Sequence, residues 1–338
     1  MFFVGIDLHK KTIMVCVVNQ QRQVVERKRF YCCQPETIRS YFAQLESFQA
    51  VVEATASYEW LWQLLEPLAQ RLVLAHPKKL RIIAESTRKS DKLDAEVLAQ
   101  FLALDMIPEA YRPTPRQRQH RTLVRQRFYL RKQITAAKNK LRRILSNYNA
   151  DRKDLFSAEG LAHLAEVKVS PADRFVLDQL RSLWECLENQ LTALDKELRS
   201  FARQAPAREQ EARAVLESIP GVGDVTVDVV ISEVGDVRRF RSAKRVSAYA
   251  GLAPGQRESA GRSKSLGITK EGSRLLRWAL VEAAWRLVRQ ARWQRVYEQL
   301  RKRCGKKRAI VAIARRLLGV MVALLRSGQA YRLAGLSG

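Results

Sequence analysis

Phe2–Val18, FFVGIDLHKKTIMVCVV, holds two apolar, β-rich runs, Phe2–Asp7 and Thr12–Val18, split by the polar His9-Lys10-Lys11. The alternation predicts a hairpin, and Val24–Phe30 supplies a third strand. Working outward, a helix is expected around Glu36–Leu45 and a short buried strand at Ala50–Ala54. A helix over Tyr58–Ala69 and a strand at Arg71–Ala75 follow, before His76-Pro77 breaks the chain. Asp94–Leu104, DAEVLAQFLAL, reads as a further helix. Three strands followed by alternating helix and strand is an α/β order suited to a mixed central sheet.

That order is the one of the ribonuclease H-like fold. Asp7 ends the first apolar run (VGID) and Glu53 nearly ends the fourth (AVVEA). An acid inside a sheet-core run is costly unless it is paired, hydrated or bound to a cation. The plainer alternative is that each begins a loop. Arg88–Ala95, RKSDKLDA, adds Asp91 and Asp94 three residues apart, on one face of a helix's first turn. The helix dipole alone also favours acids there. As a set, four carboxylates from two neighbouring strands and a helix start suit one or two magnesium ions, and paired magnesium suits in-line phosphoryl transfer.

A chain of 338 residues suggests two or three domains, and 46% apolar residues suffice for real cores. The net charge of +27, from 61 basic and 34 acidic residues, asks for a polyanion, nucleic acid before an anionic membrane. No apolar run is long enough to span a bilayer, and MFFVGIDLHKK lacks the features of a signal peptide. Cys16, Cys32, Cys33, Cys186 and Cys304 show no CxxC spacing, and the four histidines are scattered. A reduced, cytoplasmic protein without a zinc site is the expectation.

From Arg112 to Arg143 there are twelve lysines or arginines and no acid. Leu123, Leu130, Ile134, Ala137, Leu141, Ile144 and Tyr148 give this stretch an apolar helical seam. A phosphate backbone would relieve the repulsion on the remaining face, so Arg121, Arg125, Arg131, Lys132, Lys138, Lys140, Arg142 and Arg143 are candidate nucleic-acid contacts. After loops or short helices over Asp151–Pro171 comes a second seam: Leu177, Leu180, Trp184, Leu187, Leu191, Leu194, Leu198 and Phe201. Its unbroken alternation of three and four is a coiled-coil pattern, open to pairing with the basic helix or with another subunit.

SIPGVG, Ser218–Gly223, precedes an apolar helix over Thr226–Val234. Gly221 and Gly223 frame a turn whose N–H groups could hold a phosphate, as in a helix-hairpin-helix, or simply join two helices. Tyr249–Gly272, YAGLAPGQRESAGRSKSLGITKEG, reads as a glycine-rich basic loop. It sets Ser259, Ser263 and Ser265 beside Arg257, Arg262, Lys264 and Lys270. A serine amid cations can be a nucleophile, though no histidine stands near it as base. Two helices, Ser273–Leu300 and Arg308–Leu325, are expected in the tail, joined by the basic RKRCGKKR. Trp278, Trp285, Trp293 and Tyr297 read as core on the first of them.

In combination, GID, VVEATASY, KSDKLDA and GLAPGQRESAGRSKSLGITKEG, in this order, resemble the DEDD-type transposases of bacterial insertion sequences guided by a structured bridge RNA. The resemblance covers nearly the whole chain. It implies a RuvC-like metal-binding domain over residues 1–111, a basic helix and coiled coil over 112–205, and a mostly helical transposase domain over 206–338. Its four metal-binding acids fall on Asp7, Glu53, Asp91 and Asp94, with Mg2+ as cofactor and the bridge RNA as guide. Its serine nucleophile falls on Ser259, where Ala260 replaces the glycine usual after that serine; Ser263 and Ser265 are the fallbacks. The resemblance further implies double-stranded target and donor DNA, a structured non-coding RNA, and a dimer or tetramer in the bacterial cytoplasm at the nucleoid. The acids of one subunit would face the serine of another, and a covalent phosphoserine link would be resolved by a second strand's hydroxyl. Two other readings use the same residues: a RuvC-type nuclease acting through metal-activated water, and a scaffold whose acids only cap helices and pair with arginines.

Overall fold

The computed structural model describes the backbone of residues 1–55, 57–83, 91–259 and 262–332, and their side chains except at 81–83, 91–93, 256–259 and 262–266. The chain divides into two compact units, Met1–Arg112 and Pro113–Gly338.

The first unit is built on β1 (Phe2–Leu8), β2 (Thr12–Val18), β3 (Val24–Tyr31), β4 (Phe48–Glu53) and β5 (Arg71–Ala75), in the sheet order β3-β2-β1-β4-β5. The first three strands pair antiparallel, while β4 and β5 run parallel to β1. This is the mixed sheet expected of a ribonuclease H-like fold. The period of two sorts the strands' residues to opposite faces. Val4, Ile6 and Leu8 of β1 join Ala50 and Val52 of β4 in one core. It is completed by Ile38 and Phe42 of α1 (Pro35–Ala43) and by Leu61 and Leu65 of α2 (Glu59–Leu65). Pro77 does not merely break the chain after β5: it begins α3 (Pro77–Ile83), its fixed φ suiting a helix start. Val51 and Val73 face the other way, onto Leu98 and Leu102 of α4 (Asp91–Ala103).

Gly5 explains why α4 can lie so close to β1. A Cβ there would sit 2.0 Å from the Ala95 carbonyl oxygen and 2.5 Å from the Ala99 nitrogen, so only glycine admits the helix. Ala95 and Ala99 complete the seam with Cys16 and Val18.

In the second unit, α5 (Pro115–Ser146) and α7 (Pro171–Arg203) pack antiparallel, with α6 (Ala158–Glu166) between them in sequence. Leu130, Ile134 and Ala137 meet Trp184, Leu187 and Leu191, while Leu141 and Leu145 meet Leu177 and Leu180. The coiled-coil seam therefore finds its partner within the chain. Thr114 and Ser170 cap the two helices, and a proline follows each cap. Val124 and Leu145, rather than Leu123 and Ile144, are fully buried: Leu145 packs with α6 and α7, and Val124 into a second body of helices.

That body comprises α8 (Ala207–Glu217), α9 (Asp224–Val234), α10 (Ala243–Tyr249), α11 (Arg274–Leu287), α12 (Ala291–Cys304) and α13 (Lys306–Ser327). A buried polar cluster ties it to α5. His120 Nε2 lies 3.0 Å from Asp228 Oδ1, to which Arg213 donates at 2.7 Å.

Two expectations of secondary structure need correction. The stretch Tyr249–Gly272 is not an open loop, because β6 (Pro254–Ser259) and β7 (Arg262–Ile268) pair across it as an antiparallel ribbon. The backbone ladder holds a polar ribbon that has no apolar alternation to announce it. The expected helix Ser273–Leu300 is two helices, α11 and α12. Arg289 and Gln290 donate to carbonyls three residues back, and Gln290 turns extended to start α12.

Candidate active site and nucleic-acid interface

Asp7 and Glu53 owe their places to the parallel pairing of β1 with β4. The register runs Gly5↔Val51 and Ile6↔Val52, so the next residues along, Asp7 and Glu53, stand level at the carboxyl ends of adjacent strands. By alternation both fall on the face of Gly5 and Val51, the face covered by α4. The helix runs back along the strand. Glu96 pairs with Arg27, which stands level with Cys16 and Gly5 across the sheet, and Gln100 donates to the Arg22 carbonyl beyond the Phe3 end, so the first turn bearing Asp91 and Asp94 lies toward the Asp7 end. Carboxyl ends of parallel strands are the ordinary ligand-binding edge of such sheets.

Asp7 is buried, and its Oδ2 lies 3.0 Å from Nε2 of His9, which is about half exposed. Glu53 is partly buried and Asp94 exposed. The Asp91 side chain lies outside the described residues. Among the described residues, no three His, Cys, Asp or Glu side chains gather closely enough to hold a metal ion. The donor set nevertheless fits a hard divalent cation: it is all carboxylate, on one face and at one edge. The same edge carries buried polar atoms, Thr55 Oγ1 and His76 Nδ1, that have no hydrogen-bond partner among the described residues. Asp7, Glu53 and Asp94, with Asp91, are the residues that would hold such an ion.

His9, Thr55, His76 and Gly5 escape sequence reasoning. Of these only Gly5 carries a usable signal, a glycine inside a buried strand, which marks a close backbone approach.

Ser259 ends β6, and its side chain, like those of Arg257, Arg262 and Lys264, lies outside the described residues. The register pairs Ser259 with Arg262, Arg257 with Lys264, and Glu258 with Ser263. By alternation Arg257, Ser259, Arg262 and Lys264 occupy positions of one face of the ribbon, and Glu258 and Ser263 the other. Three cationic positions thus share a face with Ser259. The ribbon is clamped at its base. Lys270 N–H donates to the Gly251 carbonyl and Thr269 N–H to that of Ala253. Arg277 Nη1 donates to the Ala250 and Gly272 carbonyls at 3.1 and 3.2 Å.

The basic helix α5 spends part of its charge internally. Arg125 pairs with Glu233 at 3.0 Å, and Arg121 donates to the Ser232 and Glu233 carbonyls. Lys138 pairs with Glu188 at 3.2 Å, and Arg142 with Asp151 at 3.0 Å. Arg131, Lys132, Lys140 and Arg143 are exposed. Arg131 and Lys132 border a groove of about 820 Å³, closed by Gly223 and Asp224 at the start of α9 and by Trp278, Glu282 and Arg286 of α11. Trp278 is 45% exposed there, its ring edge-on to Phe128, so it is not core as the sequence suggested. Trp285 and Tyr297 do pack together. Gly221 has φ +82°, and a Cβ on it would meet the Arg286 Cβ at 2.9 Å, so this turn is fixed by packing as well as by its conformation.

An acidic ribonuclease H-like sheet joined to a helical, cation-rich region defines a class: enzymes of phosphoryl transfer on nucleic acid. Two family models narrow it. One described as Transposase, of the DEDD type of IS110, matches residues 4–150; another, described as Transposase IS116/IS110/IS902 family, matches residues 213–299. The chain belongs to the IS110/IS116/IS902 family of transposases, phosphoryl-transfer enzymes acting on DNA. It is similar to the transposase for insertion sequence element IS1111A of Coxiella burnetii, 27% identical over 97% of this chain and 90% of the relative. The transposase for IS1328 of Yersinia enterocolitica is 24% identical over 83% of this chain and 82% of the relative. The pilin gene-inverting protein of Moraxella lacunata is 24% identical over 97% of both chains. A DEDD transposase domain implies a divalent metal. Among the described residues no helix is long and apolar enough to cross a membrane.

Proposed function

We propose that this transposase is an RNA-guided recombinase that exchanges DNA strands through Mg2+-binding acids and a covalent phosphoserine intermediate at Ser259. The observation that carries the reading is the placing of Asp7 and Glu53, level on adjacent parallel strands and on the face covered by the helix that begins at Asp91. A bound Mg2+ supplies charge neutralisation at the scissile phosphate. Asp7, Glu53, Asp91 and Asp94 are the residues that would hold the ion.

Ser259 Oγ attacks the phosphorus. The Oγ–P bond forms as the P–O bond to the departing strand breaks, the serine proton passes to water, and the departing oxygen takes one up. Arg257, Arg262 and Lys264, at positions on the same ribbon face, offset charge developing on the phosphoryl oxygens. A hydroxyl of a second strand then attacks the phosphoserine, which restores the serine and leaves a new phosphodiester. The Moraxella relative's name records the inversion of a pilin gene, and inverting a gene exchanges DNA strands.

Guidance by a structured RNA accounts for the cations that α5 leaves exposed. Arg131, Lys132, Lys140 and Arg143 provide phosphate contacts, and the groove beside Trp278 can take an unpaired base against an aromatic face. Residues 1–111 then form the metal-binding domain, 112–205 the nucleic-acid and assembly region, and 206–338 the serine domain, in a dimer or tetramer on target and donor DNA. The test is strand exchange between two plasmids, run with and without the structured RNA transcribed from the flanking element. Product that requires the RNA is expected; equal product without it contradicts guidance.

A further inference from the structure

From residue 283 to residue 338 the chain carries fourteen lysines or arginines and one acid, Glu298. The surplus concentrates where α12 meets α13. Arg301, Lys302 and Arg303 fill the last turn of α12, and Lys306, Lys307 and Arg308 the first turn of α13, with Gly305 between the helices. All six cations are exposed. Arg301 pairs with Glu298 at 2.9 Å, and the Lys306 ammonium lies 5.6 Å from the Trp285 ring. Lys302, Arg303, Lys307 and Arg308 have no acidic partner among the described residues.

The placing is electrostatically unfavourable on internal grounds. Cations suit the end of α12, where the helix dipole is negative, but the start of α13 is the positive end, and its first turn holds no acid. Four exposed cations within seven residues repel one another as well. On α5, by contrast, Glu233, Glu188 and Asp151 neutralise comparable charges. The core here does not require the charges, since α13 buries Ala309, Ile310 and Ile313 on its other side.

We infer that the α12–α13 corner is a second DNA-binding surface, which grips the phosphate backbone of duplex DNA without reading its bases. Residues 301–308 include no aromatic or amide side chain, so the corner offers charge and nothing that would recognise a base edge. Duplex DNA presents a phosphate charge about every 1.7 Å along its axis, a density that matches a compact block of cations. The inference rests on the protein's action on DNA, and not on Ser259 or the guide RNA.

The test measures binding of the full chain to a random-sequence duplex across a range of KCl concentrations. The wild type is compared with the variant Lys302→Gln, Arg303→Gln, Lys307→Gln, Arg308→Gln. The slope of log K against log salt should become shallower by about 2 to 4, with at least about a tenfold loss of affinity at moderate salt. Thermal melting should hold or rise slightly, because the four side chains are exposed and their mutual repulsion is relieved. Should the quadruple variant not fold, each single variant should lower the slope by about 1. Ser259→Ala should abolish strand exchange and leave the slope alone, which separates this surface from the catalytic proposal. An unchanged duplex slope in the quadruple variant would overturn the inference. So would a loss confined to single-stranded RNA, or to phosphatidylcholine vesicles containing phosphatidylserine, with duplex binding intact.

Discussion

Asp7 and Glu53 stand on strands with neighbours on both sides in a five-stranded sheet, whereas Ser259 stands at the end of a two-stranded ribbon. The first support is closed by a helix that fits against Gly5 with no room for a methyl group. The second is held by a backbone ladder and by Arg277 at its base. Two strands alone are marginal in water, while a sheet with a packed face is stable by itself. Carboxylates that share a metal must keep their spacing before substrate arrives, so they belong on the stiffer support. On the proposed mechanism Ser259 attacks one strand and is then released by another, and such a nucleophile needs less fixed footing.

Chemistry gives the largest effects expected from this contrast. Asp7→Asn should lower strand exchange by about a thousandfold or more, as loss of a group that stabilises transition-state charge does, while the melting temperature stays within about a degree. Arg257→Gln on the ribbon should cost about tenfold, since Arg262 and Lys264 share its face. Equal losses would break the comparison.

Gly5→Ala should destabilise the first unit by about 3 kcal/mol, because the helix must shift to admit the methyl group. Cys16 reports on that shift. Burial, with Glu96 nearby, pushes its thiol up to about 11, so in the wild type iodoacetamide at neutral pH should label exposed Cys33 and Cys186 and spare Cys16. Labelling of Cys16 in Gly5→Ala would locate the disturbance in the seam of α4.

Arg277→Met strips a donor from the Ala250 and Gly272 carbonyls at the ribbon's base and should cost about 1–2 kcal/mol. Strand exchange should fall while metal-dependent behaviour of the first unit is untouched. Amide exchange at the ribbon's base should quicken.

The smallest effect concerns the junction of α8 with α5 in the second unit. Burial raises the Glu209 carboxyl, but hydrogen bonds and charge from Arg116, with charge from Arg213, hold it below its ordinary value. A carboxylate lowered on folding adds stability that is present above its unfolded pKa of about 4 and is lost as the pH falls through its folded value. Glu209→Gln should therefore cost about 1 kcal/mol at neutral pH and flatten the acid limb of the stability curve.

The strands of the first unit are legible because each is a short apolar run with a clear end, and Asp7 and Glu53 stand out as acids inside such runs. The seam of α7 is legible because its alternation of three and four never breaks, but its partner is not, since a seam specifies a surface and not its occupant. The ribbon β6–β7 escapes because its residues are polar, so nothing in their alternation distinguishes a ladder from a loop. The division at Val288–Gln290 escapes because no glycine or proline marks it. The use of Arg125, Lys138 and Arg142 in internal pairs is hidden too, since Glu233, Glu188 and Asp151 approach them only in the folded chain. A count of charge in sequence gives the surplus, and only the fold tells which cations remain for phosphate.

The most direct measurement incubates purified protein with Mg2+, the candidate RNA and end-labelled DNA, and resolves the products under denaturing conditions. Label that travels with the protein, requires Mg2+, and disappears in both Ser259→Ala and Asp94→Asn is the predicted result. Cleaved DNA that carries no protein, with Ser259→Ala as active as the wild type, would contradict the serine mechanism and assign the attack to metal-activated water.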